Sequence, residues 1–198
     1  MRFVWIVAVI LGTSAGFGGG YMRATQLSQS AQQDALGQEA LKRDDAARQE
    51  LLKELVAAKA GIETGLAVAD LRNSEKQVRA ALDLALNSLN DRQKPAAVDA
   101  LHAISQTVGA WDETLTGCHV GREGYVHLFE DLTGRISDNA NCNPQKLELI
   151  YSDMGVLPAL TKWTENPILT LSPKRNTLLQ PLFSVSLDRI QTAINSLR

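Results

Sequence analysis

The sequence predicts an all-α protein with a single N-terminal transmembrane helix, a helical stalk and an extracytoplasmic helical bundle that carries one disulfide. An uncharged stretch of membrane length occupies residues 3–22, and apolar residues recur at helical spacing through the rest of the chain. Strand-type alternation is confined to residues 168–171. We therefore assign residues 1–23 to the membrane anchor, 24–60 to a polar stalk and 61–198 to the bundle.

The first stretch has the length and the flanks of a membrane anchor. Because helical residues rise about 1.5 Å each, residues 3–22 would span about 30 Å, the thickness of a bilayer hydrocarbon core. Trp5 and Tyr21 stand near opposite ends, where aromatic rings prefer the interface. The alternative is a cleaved secretory signal, with Arg2 as its charged start and a small-residue cleavage site at 13–15. Both interpretations export the rest of the chain.

Small residues recur at every fourth position of this stretch. Such a register lets two transmembrane helices approach closely and self-associate, whereas a signal peptide does not need it. The spacing therefore favours a retained anchor. The residues of this glycine face are Ala8, Gly12, Gly16 and Gly20.

The charges that flank the anchor predict its orientation. The amino terminus and Arg2 precede the span, and Arg23 follows it, with the next ionisable residue at Asp34. The positive-inside rule then places the short N-terminus in the cytoplasm. We expect a single-pass protein of a bacterial inner membrane, with its bulk in the periplasm.

Composition argues against several classes of partner. The chain is 44% hydrophobic and 21% charged, which is typical of a folded protein. Its net charge is −2 and only 5% of residues are aromatic, so there is neither a basic field nor a set of stacking rings for nucleic acid. The glycine run at residues 18–20 is not a phosphate loop, because the Lys-Ser/Thr ending is missing, and we expect no cofactor. The partners that we expect are the membrane, other envelope proteins and a second copy of the chain.

The stalk is a polar helix that becomes apolar towards its end. Glu39 with Arg43, and Asp44 with Arg48, have the spacing of helical ion pairs. A partner-binding coiled coil is the alternative, but its heptad is broken. Apolar residues are sparse early (Leu27, Leu36, Leu41) and dense late (Leu51, Leu52, Leu55, Val56), which predicts a solvated beginning and a buried end.

Four further helices are predicted in the bundle before and after a turn-rich middle. Residues 67–89 form one, Pro95 begins a second that Gly117 ends, Pro144 begins a third with a kink at Pro158, and the last reaches the C-terminus. Their apolar stripes are Val78, Leu82, Ala85, Leu86 and Leu89; Val98, Leu101, Ile104, Val108, Trp111 and Leu115; Leu147, Ile150, Met154, Leu157, Leu160 and Trp163; and Leu178, Leu182, Val185, Ile190, Ile194 and Leu197.

Two cysteines constrain the middle of the bundle. In an oxidising compartment, Cys118 and Cys142 predict a disulfide. A straight helix between them would hold their α-carbons about 36 Å apart, whereas a bridge needs about 7 Å. Either the bridge is absent, or a short helix over 122–132 ends near Gly134 and residues 137–141 fold back. The turn-rich composition of 137–141 favours folding back.

The strongest pattern for chemistry is His119, Glu123 and His127, spaced by four residues, with Glu130 after them. On one continuous helix these side chains would share a face that suits zinc or iron. Glycines at 117, 121 and 124 make that helix doubtful, so a polar helix face is the preferred interpretation and no metal is assigned. Likewise we interpret Cys118 beside His119 as half of a disulfide rather than a nucleophile, and His102 as a histidine at the edge of an apolar stripe.

The predicted architecture favours a binding role over catalysis. We expect a non-enzymatic, membrane-anchored accessory or scaffold subunit of a bacterial envelope protein complex. The first alternative is an exported helical ligand-binding or sensory domain, with the ligand held between helices. An envelope-spanning tether or lysis protein, and a metal-binding enzyme based on residues 118–130, are the remaining alternatives.

Overall fold

The computed structural model describes residues 18–65, 67–114, 119–120, 126–127, 144–164 and 175–198. Within these ranges the structure is helical apart from one pair of two-residue strands, which confirms the all-α prediction. In chain order the elements are α1 (Gly18–Thr64), α2 (Val68–Ala85), α3 (Gln93–Asp112), β1 (His119–Val120), β2 (Val126–His127), α4 (Pro144–Asp153), α5 (Leu157–Thr164) and α6 (Arg175–Leu197).

Helix α1 begins inside the uncharged stretch and continues without a break to Thr64, where Gly65 ends it at φ +77°. By its contacts the chain divides into residues 1–43 and 44–198. In the first unit every described side chain from 32 onward is exposed, as predicted for the early stalk. In the second unit the end of α1 enters the core through Leu51, Leu55 and Ala58. The prediction that Val56 is also buried was wrong: this residue is 42% exposed, because it lies on the side of the helix turned away from those three.

The predicted ion pairs of α1 are half confirmed. Nη2 of Arg43 lies 3.7 Å from Oε2 of Glu39. Arg48, however, pairs with Asp45 and not with Asp44. Residues three and four positions apart are both neighbours on a helix surface, so spacing alone does not choose between the two aspartates.

No helix in the described part of the chain contains an apolar run long enough to cross a membrane. Most of the predicted anchor, residues 1–17, lies outside the described residues, and residues 18–22 form the start of α1.

A first core cluster joins the end of α1 to α2, α3 and α6, and it confirms the main stripes. Val78, Leu82 and Ile104 are buried, and Leu86 and Leu89 pack against the cluster although α2 ends at Ala85. The prediction for Val98 was wrong, since this residue is 46% exposed. The buried side of α3 is formed instead by Ala97, Ala100, Leu101, Ile104 and Val108.

A second cluster joins α4 and α5 to α3 and α6, with Tyr151 as its largest fully buried side chain. The kink predicted at Pro158 was wrong, since α4 and α5 are separate helices. Gly155, at φ +74°, ends α4: its N–H donates to the Ser152 carbonyl at 3.0 Å, and the N–H of Val156 donates to the Tyr151 carbonyl at 2.8 Å. These two bonds form a Schellman motif, and Pro158 then fits the first turn of α5.

The helix predicted over residues 122–132 was also wrong at residues 126–127. β1 and β2 pair in antiparallel register, with Val120 opposite Val126. The glycines at 121 and 124 stand between these strands, and glycine favours chain reversal over helix. Cys118, Cys142 and residues 168–171 lie outside the described residues, so the disulfide stays a prediction.

Candidate functional site

The residues with the strongest metal-binding pattern do not share a helix. Backbone pairing places the α-carbon of His119 opposite that of His127 across two antiparallel strands. Glu123 and Glu130 lie outside the described residues. Among the residues that the structure describes, no three histidine, cysteine or acidic side chains are close enough together to hold a metal ion. The helical face that motivated the metal hypothesis is therefore absent at His119 and His127.

The predicted glycine face is only partly within the described chain. Gly20 lies in α1, near its start. Ala8, Gly12 and Gly16 lie outside the described residues. Helix packing through this face stays a prediction.

Polar side chains of α2, α4 and α6 contact α3, and those of α4 lie near the two ends of its contact. At one end of their contact, Nε2 of His102 lies 2.5 Å from Oδ2 of Asp153. At the other end, Nζ of Lys146 donates to Oε2 of Glu113 at 2.7 Å. His102 contacts the end of α4, whereas Glu113, directly after α3, contacts the beginning of α4, so the two helices are antiparallel. We call this contact, with one polar pair at each end, the α3–α4 seam.

The middle of the α3–α4 seam is apolar and close-fitting. Residues 102, 109 and 113 lie on one side of α3, since they are separated by seven and four positions. A methyl group at Gly109 would lie 3.7 Å from Cδ1 of Ile150, an ordinary van der Waals distance. The seam is thus a small apolar contact with a polar side-chain pair at each end.

The polar pairs at the two ends of the seam differ in exposure. The side chain of Glu113 is 9% exposed, while that of Lys146 is 54% exposed. At the other end both partners reach solvent, with 43% of the His102 side chain and 47% of the Asp153 side chain exposed. The expectation that His102 lies at the edge of an apolar stripe is consistent with this position, but its partner on α4 was not predicted.

Arg175 brings positive charge to the C-terminal end of α3. Its Nη2 donates to the carbonyl of Thr114 at 3.5 Å, and its buried Nε atom has no hydrogen-bond partner among the described residues. Burial lowers the pKa of this guanidinium from its ordinary value. A cation is favourable here because the last carbonyls of a helix carry partial negative charge.

Other polar contacts connect α3 to α2 and α6. On the α2 side, Glu75 accepts hydrogen bonds from Arg79 at 3.0 Å and from Ser105 at 2.7 Å. On the α6 side, Nη1 of Arg189 donates to Oδ1 of Asp99 at 2.8 Å. All of these side chains hold helices against one another, which is the arrangement of a braced bundle. Further pairs are Arg72 with Asp112, Thr107 with Ser186, and Gln93 with the carbonyl of Ser196.

Several large apolar side chains remain on the surface of the described chain. In the unit 1–43, Leu36 and Leu41 are 65% and 66% exposed. In the bundle, Leu84 and Leu149 are 74% and 71% exposed. The last two fall outside the apolar stripes of their helices, and this departure from periodicity is the signal by which the sequence could have identified them.

Comparison of the chain with protein-family models, with curated proteins and with solved structures finds no match. The functional argument therefore depends on the residues of this chain.

Proposed function

We propose that this chain is a non-enzymatic, membrane-anchored accessory or scaffold subunit of a bacterial envelope protein complex, with its bundle in the periplasm. The observation that carries the proposal is the course of α1. This helix begins at Gly18, inside the uncharged stretch 3–22, and ends at Thr64. The same helix supplies Leu51 and Leu55, both fully buried, to the core of the bundle. Residues 18–22 of the proposed anchor and the buried Leu51 and Leu55 thus belong to the same helix.

The exposed part of α1 supports a role in binding other envelope proteins. Residues 32–46 are exposed throughout, yet they include Leu36 and Leu41. Contact with a partner would remove the apolar surface of these two leucines from water. A second copy of the chain would meet the first through the glycine face of the anchor.

The first experiment tests the anchor. The full chain is expressed in its native host, the membranes are washed with alkaline carbonate, and the intact mass is measured from the membrane fraction. We expect the chain to remain in the membrane pellet with its first residues present. A soluble chain whose mass begins near Gly16 would overturn the anchor and would favour a secreted ligand-binding domain.

The second experiment tests the partner. A tagged full chain, purified in mild detergent, should carry companions at fixed stoichiometry. The double variant Leu36→Gln/Leu41→Gln should lose most of those companions. The matched control, Leu84→Gln/Leu149→Gln, changes two leucines of similar exposure on α2 and α4 and should retain them. Equal recovery from both variants would contradict the assignment of α1, and a chain without companions would contradict the scaffold role.

A further inference from the structure

We propose that His102 and Asp153 form an acid-strengthened clip. In this proposal, protonation of the imidazole tightens the hold of the α4–α5 hairpin (residues 144–164) on α3. The proposal concerns the fold of the bundle and is independent of the anchor and of any partner.

The position of Asp153 explains why the charge of His102 matters. Asp153 is the last residue of α4, and the final turn of α4 contains no basic residue. A carboxylate at this end is repelled by the partial negative charge of the last carbonyls. His102, from the neighbouring helix, lies 2.5 Å from the carboxylate. An imidazolium there is attracted both to Asp153 and to the end of α4, whereas a neutral imidazole offers only a hydrogen bond.

Other charged residues stand on α3 and on the helices packed against it. Among side-chain types, histidine is the one whose ordinary pKa lies between pH 5.5 and pH 8. The charged residues include Arg72, Glu75 and Arg79 on α2; Arg175, Asp188 and Arg189 on α6; Lys146, Glu148 and Asp153 on α4; and Asp99 and Asp112 on α3, with Glu113 directly after it.

A control carboxylate stands on the same helix, away from His102. Asp112 of α3 pairs with Arg72 of α2, and 33% of its side chain is exposed, compared with 47% for Asp153. Ten residues separate Asp112 from His102, whereas Asp99 is only three residues from it and would itself respond to the charge of the imidazole. Removing the carboxylate at 112 should therefore have the same effect at pH 5.5 and at pH 8.

The first test is a double-mutant cycle on the full chain. Urea midpoints are measured for the wild type, His102→Gln, Asp153→Asn and the double variant, at pH 5.5 and at pH 8. The two remaining histidines, His119 and His127, are present in all four chains, so their titration cancels. We expect a coupling between 102 and 153 that is present at pH 5.5 and mostly lost at pH 8. Coupling that is equal at the two pH values, or absent at both, would overturn the clip.

The second test localises the effect. Amide hydrogen exchange of α4 is followed in the wild type and in Asp153→Asn, after correction for the intrinsic pH dependence of exchange. Because both side chains are nearly half exposed, we expect a modest loss of α4 protection at pH 5.5, about two- to five-fold. The Asp112→Asn control should leave the last turn of α4 unchanged. Protection of α4 that increases in Asp153→Asn at pH 5.5 would show that repulsion by the helix end dominates, and the clip would be rejected.

Discussion

The hydroxyl of Tyr151 donates a hydrogen bond to the backbone carbonyl of Leu178, joining α4 to the first turn of α6. Three residues later α6 contains Pro181, which has no N–H and cannot donate to the carbonyl of Thr177. Proline also disturbs the neighbouring helical hydrogen bonds. The phenol thus bonds to the carbonyl next to the one that Pro181 leaves without a helical donor, and it fastens α4 to the part of α6 that contains the proline.

The change Tyr151→Phe should lower the free energy of unfolding by about 1 kcal/mol at neutral pH. The ring stays and the core keeps its volume, so the loss is that of one buried hydrogen bond. Urea unfolding of the full chain measures this difference. A stability equal to that of the wild type would show that the hydroxyl contributes nothing to α6.

The same variant makes a prediction at alkaline pH. Burial raises the pKa of the Tyr151 phenol well above its ordinary value near 10. Above about pH 10 the unfolded chain therefore releases this proton while the folded chain keeps it, and the stability of the wild type falls as pH rises. The advantage of the wild type over Tyr151→Phe should shrink by about 0.8 kcal/mol between pH 8 and pH 10.5. Lysines titrate in both chains and cancel in the difference. An advantage that is constant or grows would contradict the buried neutral phenol.

Two glycines should respond in opposite directions to the same added methyl group. Gly109 lies inside α3 with room for a Cβ atom, so Gly109→Ala should raise the free energy of unfolding by about 0.5–1 kcal/mol. Gly155 has φ +74°, a conformation that L-residues adopt at a cost, so Gly155→Ala should lower it by about 1 kcal/mol. Urea unfolding of both variants provides the measurement. A destabilising Gly109→Ala would mean that α4 lies closer to α3 than the structure has it.

The apolar periodicity of the sequence predicted the helices well but not their ends. The stripe through Leu101, Ile104 and Val108 is a core face, because helical spacing and burial have the same period. At Pro158 the same reasoning failed. The apolar positions continue in register from α4 into α5, and the break is set by the left-handed Gly155, whose conformation leaves no mark on hydrophobic spacing.

The contacts of the candidate site could not be predicted from spacing at all. His102 and Asp153 are far apart in sequence, and their contact depends on how α4 lies on α3. The prediction for His119 and His127 failed for a related reason. Spacing by four implies a shared face only when the backbone is helical, and at these residues the backbone is extended.

The disulfide predicted between Cys118 and Cys142 is testable by counting thiols. Without reductant, the denatured chain should show no free thiol, and after reduction it should show two. A loop of this length would stabilise the fold by about 3.5 kcal/mol, so Cys118→Ser/Cys142→Ser should unfold at lower urea concentration than the oxidised wild type. Two reactive thiols in chain isolated without reductant would contradict both the disulfide and the oxidising compartment.

The buried hydroxyls of Thr107 and Ser186 should behave as one unit. Their oxygens are 2.8 Å apart between α3 and α6, both residues are fully buried, and Ser186 also bonds to the Ala103 carbonyl at 3.1 Å. Removing one hydroxyl leaves a buried polar group short of a partner, so Thr107→Val and Ser186→Ala should each cost about 1–2 kcal/mol. Removing both replaces a matched polar pair with a matched apolar one. The double variant should therefore lose clearly less than the two single losses together, as measured by urea unfolding. Strict additivity would show that the two hydroxyls do not depend on each other, because independent sites add.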